Sequence, residues 1–317
     1  MKQVGTMEYE GRICRAPMER GAYKLPVMVG CIYNKCRFCD LFKDLRFRLI
    51  PVEEVEAYIR RVYDAGGCPR KIFLGDGRAF ALKTDYLCGI LDLTHSYFPE
   101  CGEINMNATV LSIHAKSDDE LRVLAAKGVK HLYIGLESGL EDVLAFMDKG
   151  NTVEQLREVV RRINRYGMFF DAHIMTGSAG HERGMENAAA TASVLAELNA
   201  SSATNFSLFV HHETPLYDDM EQGLFAAASE YENLIEEREL IRLLSEKLPC
   251  DGSRVMRYEG LHDYIAVHVW GTLPRDLDKM TGRLDKAIAE YRTKQDVKAV
   301  IGPGSTFEFP TTIDKSM

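Results

Sequence analysis

The chain has 317 residues, of which 46% are hydrophobic and 27% charged, so it can bury a sizeable core in one large domain or two average ones. Its formal net charge of −8 argues against a broad nucleic-acid-binding surface, although it is compatible with a local basic patch. The apolar runs are too short to cross a membrane, and the first ten residues lack the apolar segment of a signal peptide. We therefore expect a cytoplasmic protein that binds neither membrane nor nucleic acid.

Short β-rich runs alternate with helical patterns along most of the chain. Strands are predicted at 25–29, 71–74, 104–107, 129–134, 168–175 and 206–210. Helices are predicted from Pro51 to a stop at Gly66, near 84–93, from a capping box at Ser117 to Gly128, from a capping box at Thr152 to Gly167, and at about 185–198. After about residue 214 the alternation fades, and helical stretches around 226–247 lead into a tail with no clear period.

Six βα units in succession predict a parallel sheet with right-handed crossovers. The predicted fold class is α/β, a partial (β/α)6 TIM-type barrel with a C-terminal α+β extension. The expected domains are an N-terminal extension at 1–24, the barrel at 25–213 and a C-terminal extension at 214–317 packed on the barrel. In such folds the active site lies at the C-terminal ends of the strands, where the unusual motifs of this chain also fall.

Three of the eight cysteines, Cys31, Cys36 and Cys39, follow the first strand with the spacing C-x4-C-x2-C. The other five are scattered and are expected to be buried, small apolar side chains. Three thiolates can hold three irons of a cubane 4Fe–4S cluster and leave the fourth iron open for chemistry. A structural zinc site needs a fourth ligand, which no nearby C-x-x-C or His pair supplies, although Cys68 or a histidine could complete one. The number and softness of the ligands favour one iron–sulfur cluster.

Glycines and a carboxylate mark the ends of two predicted strands. The second strand ends in Gly75-Asp76-Gly77, and two glycines at a strand end let a backbone approach a ligand closely, although a simple tight turn has the same composition. The fourth strand ends in a Gly-Leu-Glu-Ser-Gly run that contains Glu137. A carboxylate there can accept two hydroxyl hydrogen bonds, as in dinucleotide sites, or it can be a solvated loop residue.

Two further features are open to more than one interpretation. Phe38, just before the third cysteine, can pack on a flat aromatic ligand or simply inside the loop. His211-His212-Glu213 follows the sixth strand and can ligate a metal, act as an acid or base, bind substrate, or have no special role.

The cysteine loop resembles that of the radical S-adenosylmethionine (radical SAM) superfamily, whose usual spacing is C-x3-C-x2-C. Its run Gly-Cys-x-x-Asn-Lys-Cys-x-Phe-Cys is similar to a bacterial and archaeal subgroup with the longer spacing. The similarity extends over about residues 12–290, with matching segments at 15–19, 73–77, 133–139, 149–152, 214–217 and 271–276. The barrel half also resembles the domain shared by anaerobic coproporphyrinogen oxidases and elongator-type enzymes.

The resemblance implies that the cysteine trio holds a 4Fe–4S cluster whose open iron chelates the methionine moiety of S-adenosylmethionine (SAM). Gly75-Asp76-Gly77 stands where the superfamily usually has a Gly-Gly-Glu-like turn that meets the methionine amino group. Asp76 in place of the second glycine is a departure, and it leaves open whether the Asp76 side chain participates.

The resemblance also implies cofactor contacts on later strands. It assigns Glu137 to the ribose hydroxyls of SAM, with Ser138 beside it, and His173 to the segment that contacts adenine. In the cysteine loop, Phe38 is the aromatic side chain expected to pack on the cofactor. His262 stands where the subgroup typically has a His-x-Ser-Asn run, but the Ser and Asn are not retained in register.

Together these features predict a radical SAM enzyme that cleaves SAM reductively and generates a 5′-deoxyadenosyl radical acting on an unidentified small-molecule substrate. The expected partner is an electron donor such as flavodoxin or ferredoxin. The alternative is a non-catalytic metal-binding or redox-sensing barrel protein with the trio on zinc or a labile cluster. The barrel-end glycines and Glu137 favour the enzyme, because a scaffold needs no nucleotide-like site there.

Overall fold

The computed structural model describes residue 10, residues 14–249 and residues 251–304. Cys250 and most of the first ten residues lie outside the described residues. In the described part the strands are β1 (Tyr23–Pro26), β2 (Met28–Val29), β3 (Arg48–Leu49), β4 (Lys71–Gly75), β5 (Glu103–Ala108), β6 (Val129–Glu137), β7 (Phe169–Thr176), β8 (Ser202–Ser207), β9 (Val210–His211), β10 (Met256–His262), β11 (Val267–Leu273) and β12 (Val300–Ile301). The helices are α1 (Val52–Asp64), α2 (Thr84–Tyr97), α3 (Val110–His114), α4 (Asp118–Ala126), α5 (Glu141–Phe146), α6 (Val153–Arg165), α7 (Gly184–Glu197), α8 (Pro215–Glu221), α9 (Glu230–Lys247) and α10 (Leu277–Tyr291).

Within the described residues, eight strands form one sheet in the order β1-β4-β5-β6-β7-β8-β10-β11. The pairs β1–β4, β4–β5, β5–β6 and β8–β10 are parallel, and β10–β11 is antiparallel. The predicted α/β class with a mainly parallel sheet is therefore confirmed. No helix in the described residues is both long and apolar enough to span a bilayer.

The chain divides into two compact units. Unit 1 comprises Met1–Asn34, Leu41–Gly135 and Glu154–Asp171, and unit 2 comprises Lys35–Asp40, Leu136–Val153 and Ala172–Met317. The three-part domain scheme with boundaries after residues 24 and 213 stays a prediction.

In unit 1 the local sequence signals match the observed elements. Helix α1 buries Val55 and Ile59 completely, and it ends before Gly66, whose φ of +77° suits a residue without a side chain. The predicted capping box at Ser117 is present at the start of α4. Among the scattered cysteines, Cys101 is buried but Cys68 is exposed, so the expectation of burial was wrong for Cys68.

In unit 2 two expectations about the later chain were wrong. The strand predicted at 206–210 is instead β8, which begins at Ser202, followed by the short β9. The alternation also continues beyond residue 214, since α9 leads into β10, which pairs in parallel with β8. Helix α9 lies within the helical stretch predicted around 226–247, and its buried face carries the carboxylates Glu230, Glu236 and Glu237.

A buried histidine joins α9 to β10. His262 is fully buried, with Nε2 2.6 Å from Glu237 Oε2 and Nδ1 3.3 Å from Glu230 Oε2. Tyr258 donates its hydroxyl hydrogen bond to Glu237 Oε1 at 2.9 Å. Burial alone would lower the pKa of His262, but the two carboxylates raise it to about 10. Gly260 is required here, because a Cβ would fall 1.6 Å from Glu237 Oε1.

The neighbouring carboxyl group of α9 has a different charge state. Burial raises the pKa of Glu236 to about 8, although Gly177 N–H and the Asn187 amide donate hydrogen bonds to its oxygens at 2.9 and 2.6 Å. Glu236 is therefore mostly protonated at neutral pH, while His262 carries the positive charge of this network.

These two shifts predict a fold that loses stability as the solution becomes alkaline. Both groups bind a proton more tightly in the folded than in the unfolded chain, whose values are 6.5 for His262 and 4.5 for Glu236. Their stabilisation is complete below those values and is lost as pH rises through about 8 for Glu236 and about 10 for His262. Urea denaturation over this pH range should show a falling free energy of unfolding.

The His262→Gln variant should lose about 3–5 kcal/mol near neutral pH, because it leaves buried carboxylates without their cation. It should also flatten the alkaline part of the profile. His114→Gln, at an exposed histidine of α3, is the matched control and should leave the profile unchanged. A free energy of unfolding that stays constant or rises with pH in the wild type would contradict this account.

Candidate functional site

The first part of the cysteine loop belongs to unit 1. Gly30, with φ of +74°, turns the chain out of β2 into Cys31. The Asn34 amide donates to Phe42 O at 2.7 Å, and Lys43 Nζ donates to Asn34 O at 2.9 Å. These bonds give the loop a defined path although it has almost no regular secondary structure.

The second part of the loop, Lys35–Asp40, belongs to unit 2. A hydrogen bond of 3.3 Å from Cys39 N–H to Cys36 O closes the C-x2-C turn and brings these two cysteines together. Arg37 anchors the turn, with its N–H donating to Met147 O at 3.2 Å and its guanidinium 2.5 Å from the Asp219 carboxylate. All three loop cysteines are partly exposed. No three His, Cys, Asp or Glu side chains in the described part of the chain are already arranged around a single metal position.

The turn after β4 packs directly on the cysteine loop within unit 1. Pro26 of β1 lies opposite Gly75 of β4, which sets the turn beside the chain leading into the loop. Gly77 has φ of +43°, and a Cβ there would lie 2.5 Å from Gly30 O and 3.0 Å from Cys31 Cα. Only glycine fits this close backbone approach, so the simple-turn interpretation does not account for the choice of residue.

The Asp76 side chain forms a buried ion pair. Its Oδ1 lies 2.5 Å from Lys24 Nζ, and both side chains are under 5% exposed. Burial raises the pKa of Asp76, and the Lys24 ammonium opposes that shift. Lys24 also fills the space beside Gly75, where a Cβ would lie 2.7 Å from Lys24 Cε. The departure from the superfamily pattern at Asp76 is therefore matched by a lysine that sequence reasoning did not single out. The one feature of the sequence that could have pointed to Lys24 is its position inside the apolar strand β1.

In unit 2 Glu137 is paired in the same manner. Glu137 ends β6 with φ of +60°, and its Oε1 lies 2.6 Å from Lys149 Nζ, with both residues under a tenth exposed. Burial alone would lower the pKa of Lys149, but the Glu137 carboxylate and the sulfurs of Cys36 and Cys39 raise it above its ordinary value. The structure thus brings the Lys149 cation to Glu137 and into the electrostatic surroundings of two of the cysteines.

The remaining predicted site residues of unit 2 occupy distinct surroundings. Phe38 packs against an apolar cluster that includes Met147, and Lys149 Nζ lies 5.6 Å from its ring centroid. The Ser138 hydroxyl is buried, donates to Asn187 Oδ1 at 2.5 Å and accepts the Leu140 N–H at 3.0 Å, so it stabilises the turn after β6.

His173 on β7 is held in its neutral form. Burial, together with the Lys149 cation, lowers the pKa of His173 to about 4. Its ring meets Phe206 edge-on, with centroids 5.3 Å apart. A neutral imidazole at this position can donate or accept a hydrogen bond without adding charge.

The His211-His212-Glu213 run is more loosely arranged. The two imidazole rings stack with centroids 4.7 Å apart, and Glu213 lies 4.0 and 3.9 Å from them. These distances exceed direct hydrogen bonds, so the run carries no defined catalytic geometry.

A family model for the radical SAM superfamily matches residues 25–187, just over half of the chain. The chain belongs to the radical SAM superfamily. The predicted family is therefore confirmed, and with it the expected cofactors, since radical SAM enzymes use a 4Fe–4S cluster and SAM. Enzymes of this superfamily need a reductant and a substrate. No curated protein matches the chain.

Solved structures support the fold of this radical SAM protein. Coproporphyrinogen III oxidase (HemN) from Escherichia coli is 17% identical with a TM-score of 0.56, covering 71% of this chain and 52% of that one. Methylornithine synthase (PylB) is 14% identical with a TM-score of 0.54, covering 93% and 76%. Elp3 from Methanocaldococcus infernus is 15% identical with a TM-score of 0.51, covering 88% and 64%. The chain spans only 26% of the cobalamin-dependent enzyme OxsB and 39% of the methyltransferase TsrM from Kitasatospora setae. At these identities the likeness shows the fold alone.

The Lys24–Asp76 pair predicts a stability effect that a double variant can isolate. Asp76→Asn leaves the buried Lys24 ammonium without its counter-ion and should lower the free energy of unfolding by about 3–5 kcal/mol. The double variant Lys24→Met, Asp76→Asn should recover most of the loss, because it removes both charges. Urea denaturation measures all three proteins.

Asp92→Asn is the matched control, because Asp92 pairs with Lys127 on the exposed surface of the same unit. That variant should show no measurable change. A double variant as unstable as Asp76→Asn alone would show that the ion pair is not what stabilises the turn.

Proposed function

We propose that this chain is a radical SAM enzyme that acts on a small-molecule substrate. The observation that carries the proposal is the packing of Gly77 against Cys31, which joins a thiol ligand to a backbone turn that only glycine can form. Cys31, Cys36 and Cys39 would hold the 4Fe–4S cluster, and their soft sulfur donors fit iron. When bound, the cluster and SAM supply reductive cleavage of the sulfonium and a 5′-deoxyadenosyl radical.

The residues of the chain would bind and orient SAM. The backbone carbonyls of the Gly75–Gly77 turn would accept hydrogen bonds from the methionine amino group, while Lys24 keeps the Asp76 carboxylate in the interior. Glu137 would bind the ribose hydroxyls through Oε2, since Lys149 occupies Oε1. Phe38, Ser138 and neutral His173 would form the surrounding wall.

Lys149 would have a second effect in the loaded protein. Its buried ammonium lies near the sulfurs of Cys36 and Cys39, and a nearby positive charge stabilises thiolates. It therefore supports the charged form of the ligands while it orients Glu137. An electron donor such as flavodoxin or ferredoxin would supply the reducing electron.

The metal content and the chemistry can be tested together. After anaerobic reconstitution the protein should hold about four irons per chain, because one cysteine trio supports one cubane cluster. With dithionite and SAM it should slowly release 5′-deoxyadenosine, detected by chromatography. Replacing Cys31, Cys36 or Cys39 by Ala should abolish both the iron and the product.

Cys88→Ala, at a half-buried cysteine on α2, is the control and should retain both. Stoichiometric zinc without iron uptake would instead support a non-catalytic metal-binding scaffold and would contradict the proposed radical SAM function.

Glu137→Gln should weaken SAM binding by about ten- to a hundredfold, at ~1.4 kcal/mol per tenfold, because it removes the charge that strengthens hydrogen bonds to the ribose. The iron content should not change, since Glu137 is not proposed as a ligand. Binding can be followed by titrating SAM and recording the EPR signal of the reduced cluster. Glu154→Gln, at an exposed residue of α6, should bind SAM like the wild type. Unchanged affinity in Glu137→Gln would exclude the ribose role.

A further inference from the structure

Unit 1 contains an open cavity of about 500 Å³ at the carboxyl ends of β4 and β5. Its lining includes Ile32, Arg78, Lys83, Ser112, Lys116 and Glu120. Ile32 follows Cys31 in the cysteine loop, and Arg78 follows Gly77 in the turn that touches it. The cavity therefore lies beside the cysteine loop and has a volume typical of small-molecule sites.

Lys116 is the unusual residue in the cavity wall. It is 7% exposed, and its Nζ donates to Leu82 O at 2.9 Å and to Thr84 Oγ1 at 3.1 Å. Both acceptors are neutral, and in the described part of the chain no carboxylate oxygen lies within 4 Å of this ammonium. Burial lowers the pKa of Lys116, and the more distant Glu120 carboxylate opposes that shift without cancelling it.

The other buried lysines of the described residues provide the comparison. Lys24 lies 2.5 Å from the Asp76 carboxylate, and Lys149 lies 2.6 Å from the Glu137 carboxylate. Burying an ammonium without an anionic partner is costly, and this chain avoids the cost at both of those positions. At Lys116 the chain instead leaves space in which a dissolved anion can take the place of the carboxylate.

The rest of the wall suits an anion. The Arg78 guanidinium donates to Thr109 Oγ1 at 2.9 Å and lies 5.0 Å from the Tyr33 ring centroid, so a second cation is held in place at the cavity. Helix α2 begins at the cavity with no side-chain cap on its first turn, which adds the positive end of a helix dipole.

The carboxylates of the wall, Glu120 and Asp85, each have neighbouring partners of their own. The Glu120 carboxylate accepts the Ser117 N–H at 2.8 Å and the Thr84 hydroxyl, which completes the capping box of α4. At the exposed mouth, the charges of Lys83 and Asp85 offset each other.

We propose that this cavity binds the carboxylate or phosphate group of a small-molecule substrate, with Lys116 as its counter-ion. The identification of the anion as a substrate rests on the proposed radical SAM function. The binding of the anion itself does not.

The test uses reconstituted protein with SAM, titrated with inorganic phosphate and separately with acetate by calorimetry at low salt. The wild type should bind one of them with a dissociation constant of about 1 mM, as expected for a single small anion. Lys116→Met should weaken that binding at least tenfold. Lys127→Met, at a partly exposed lysine that pairs with Asp92, should bind like the wild type. Binding of phosphate alone would indicate a phosphate ester, and binding of acetate alone a carboxylic acid.

Two further measurements separate a binding role from a structural one. Without added anion, Lys116→Met should melt at or above the wild-type temperature, because it removes a buried charge that has no close carboxylate. A lysine that only supports Leu82 and Thr84 would instead give a lower melting temperature. Ala115→Glu, at an exposed position in the wall, introduces a competing carboxylate and should also weaken anion binding at least tenfold.

The proposal is overturned if neither anion binds the wild type, or if Lys116→Met and Ala115→Glu bind as tightly as the wild type. Release of 5′-deoxyadenosine from the same samples keeps the two proposals apart. Anion binding without SAM cleavage would support the cavity proposal and contradict the proposed radical SAM function. SAM cleavage without anion binding would support the radical SAM function and contradict the cavity proposal.

Discussion

The buried ion pair between Lys24 and Asp76 is the interaction on which the unit 1 part of the site depends. The parallel register of β1 and β4 sets Pro26 opposite Gly75, and the ion pair then ties the end of one strand to the turn after the other. Because both charges are removed from water, neither side chain can leave without exposing the other as an unpaired charge. This constraint holds the turn in the position where Gly77 contacts the backbone of the cysteine loop.

Unit 2 has a second buried ion pair of the same kind at the end of β6. Glu137 and Lys149 neutralise each other in a buried setting, and the lysine is also near two of the loop cysteines. In both units a carboxylate at the C-terminal end of a strand is therefore oriented by a lysine rather than by solvent. A carboxylate held in this way keeps its direction, which is a property that a hydroxyl-binding group needs.

Two other buried cations, His262 and Lys116, differ in whether a carboxylate lies close to them. In unit 2, His262 is fully paired because it lies between two carboxylates, so it stabilises the contact between α9 and β10. In unit 1, Lys116 has no such partner within ion-pair distance among the described residues and faces an open cavity instead. A buried charge without a close counter-ion reduces stability, and one that lines a cavity is a candidate for contact with a ligand.

By itself the sequence determined the alternation of strands and helices up to β7, the helix ends at Gly66 and Ser117, and the cysteine spacing. These features are local, since side-chain period, capping and backbone freedom act within a few residues. Only the tertiary structure decided which lysine meets Asp76, that Lys149 reaches Glu137, and that β10 joins the sheet beside β8. The pattern of apolar residues carries no signal for these contacts, because the inward-facing side chains are charged and their burial depends on partners distant in the chain.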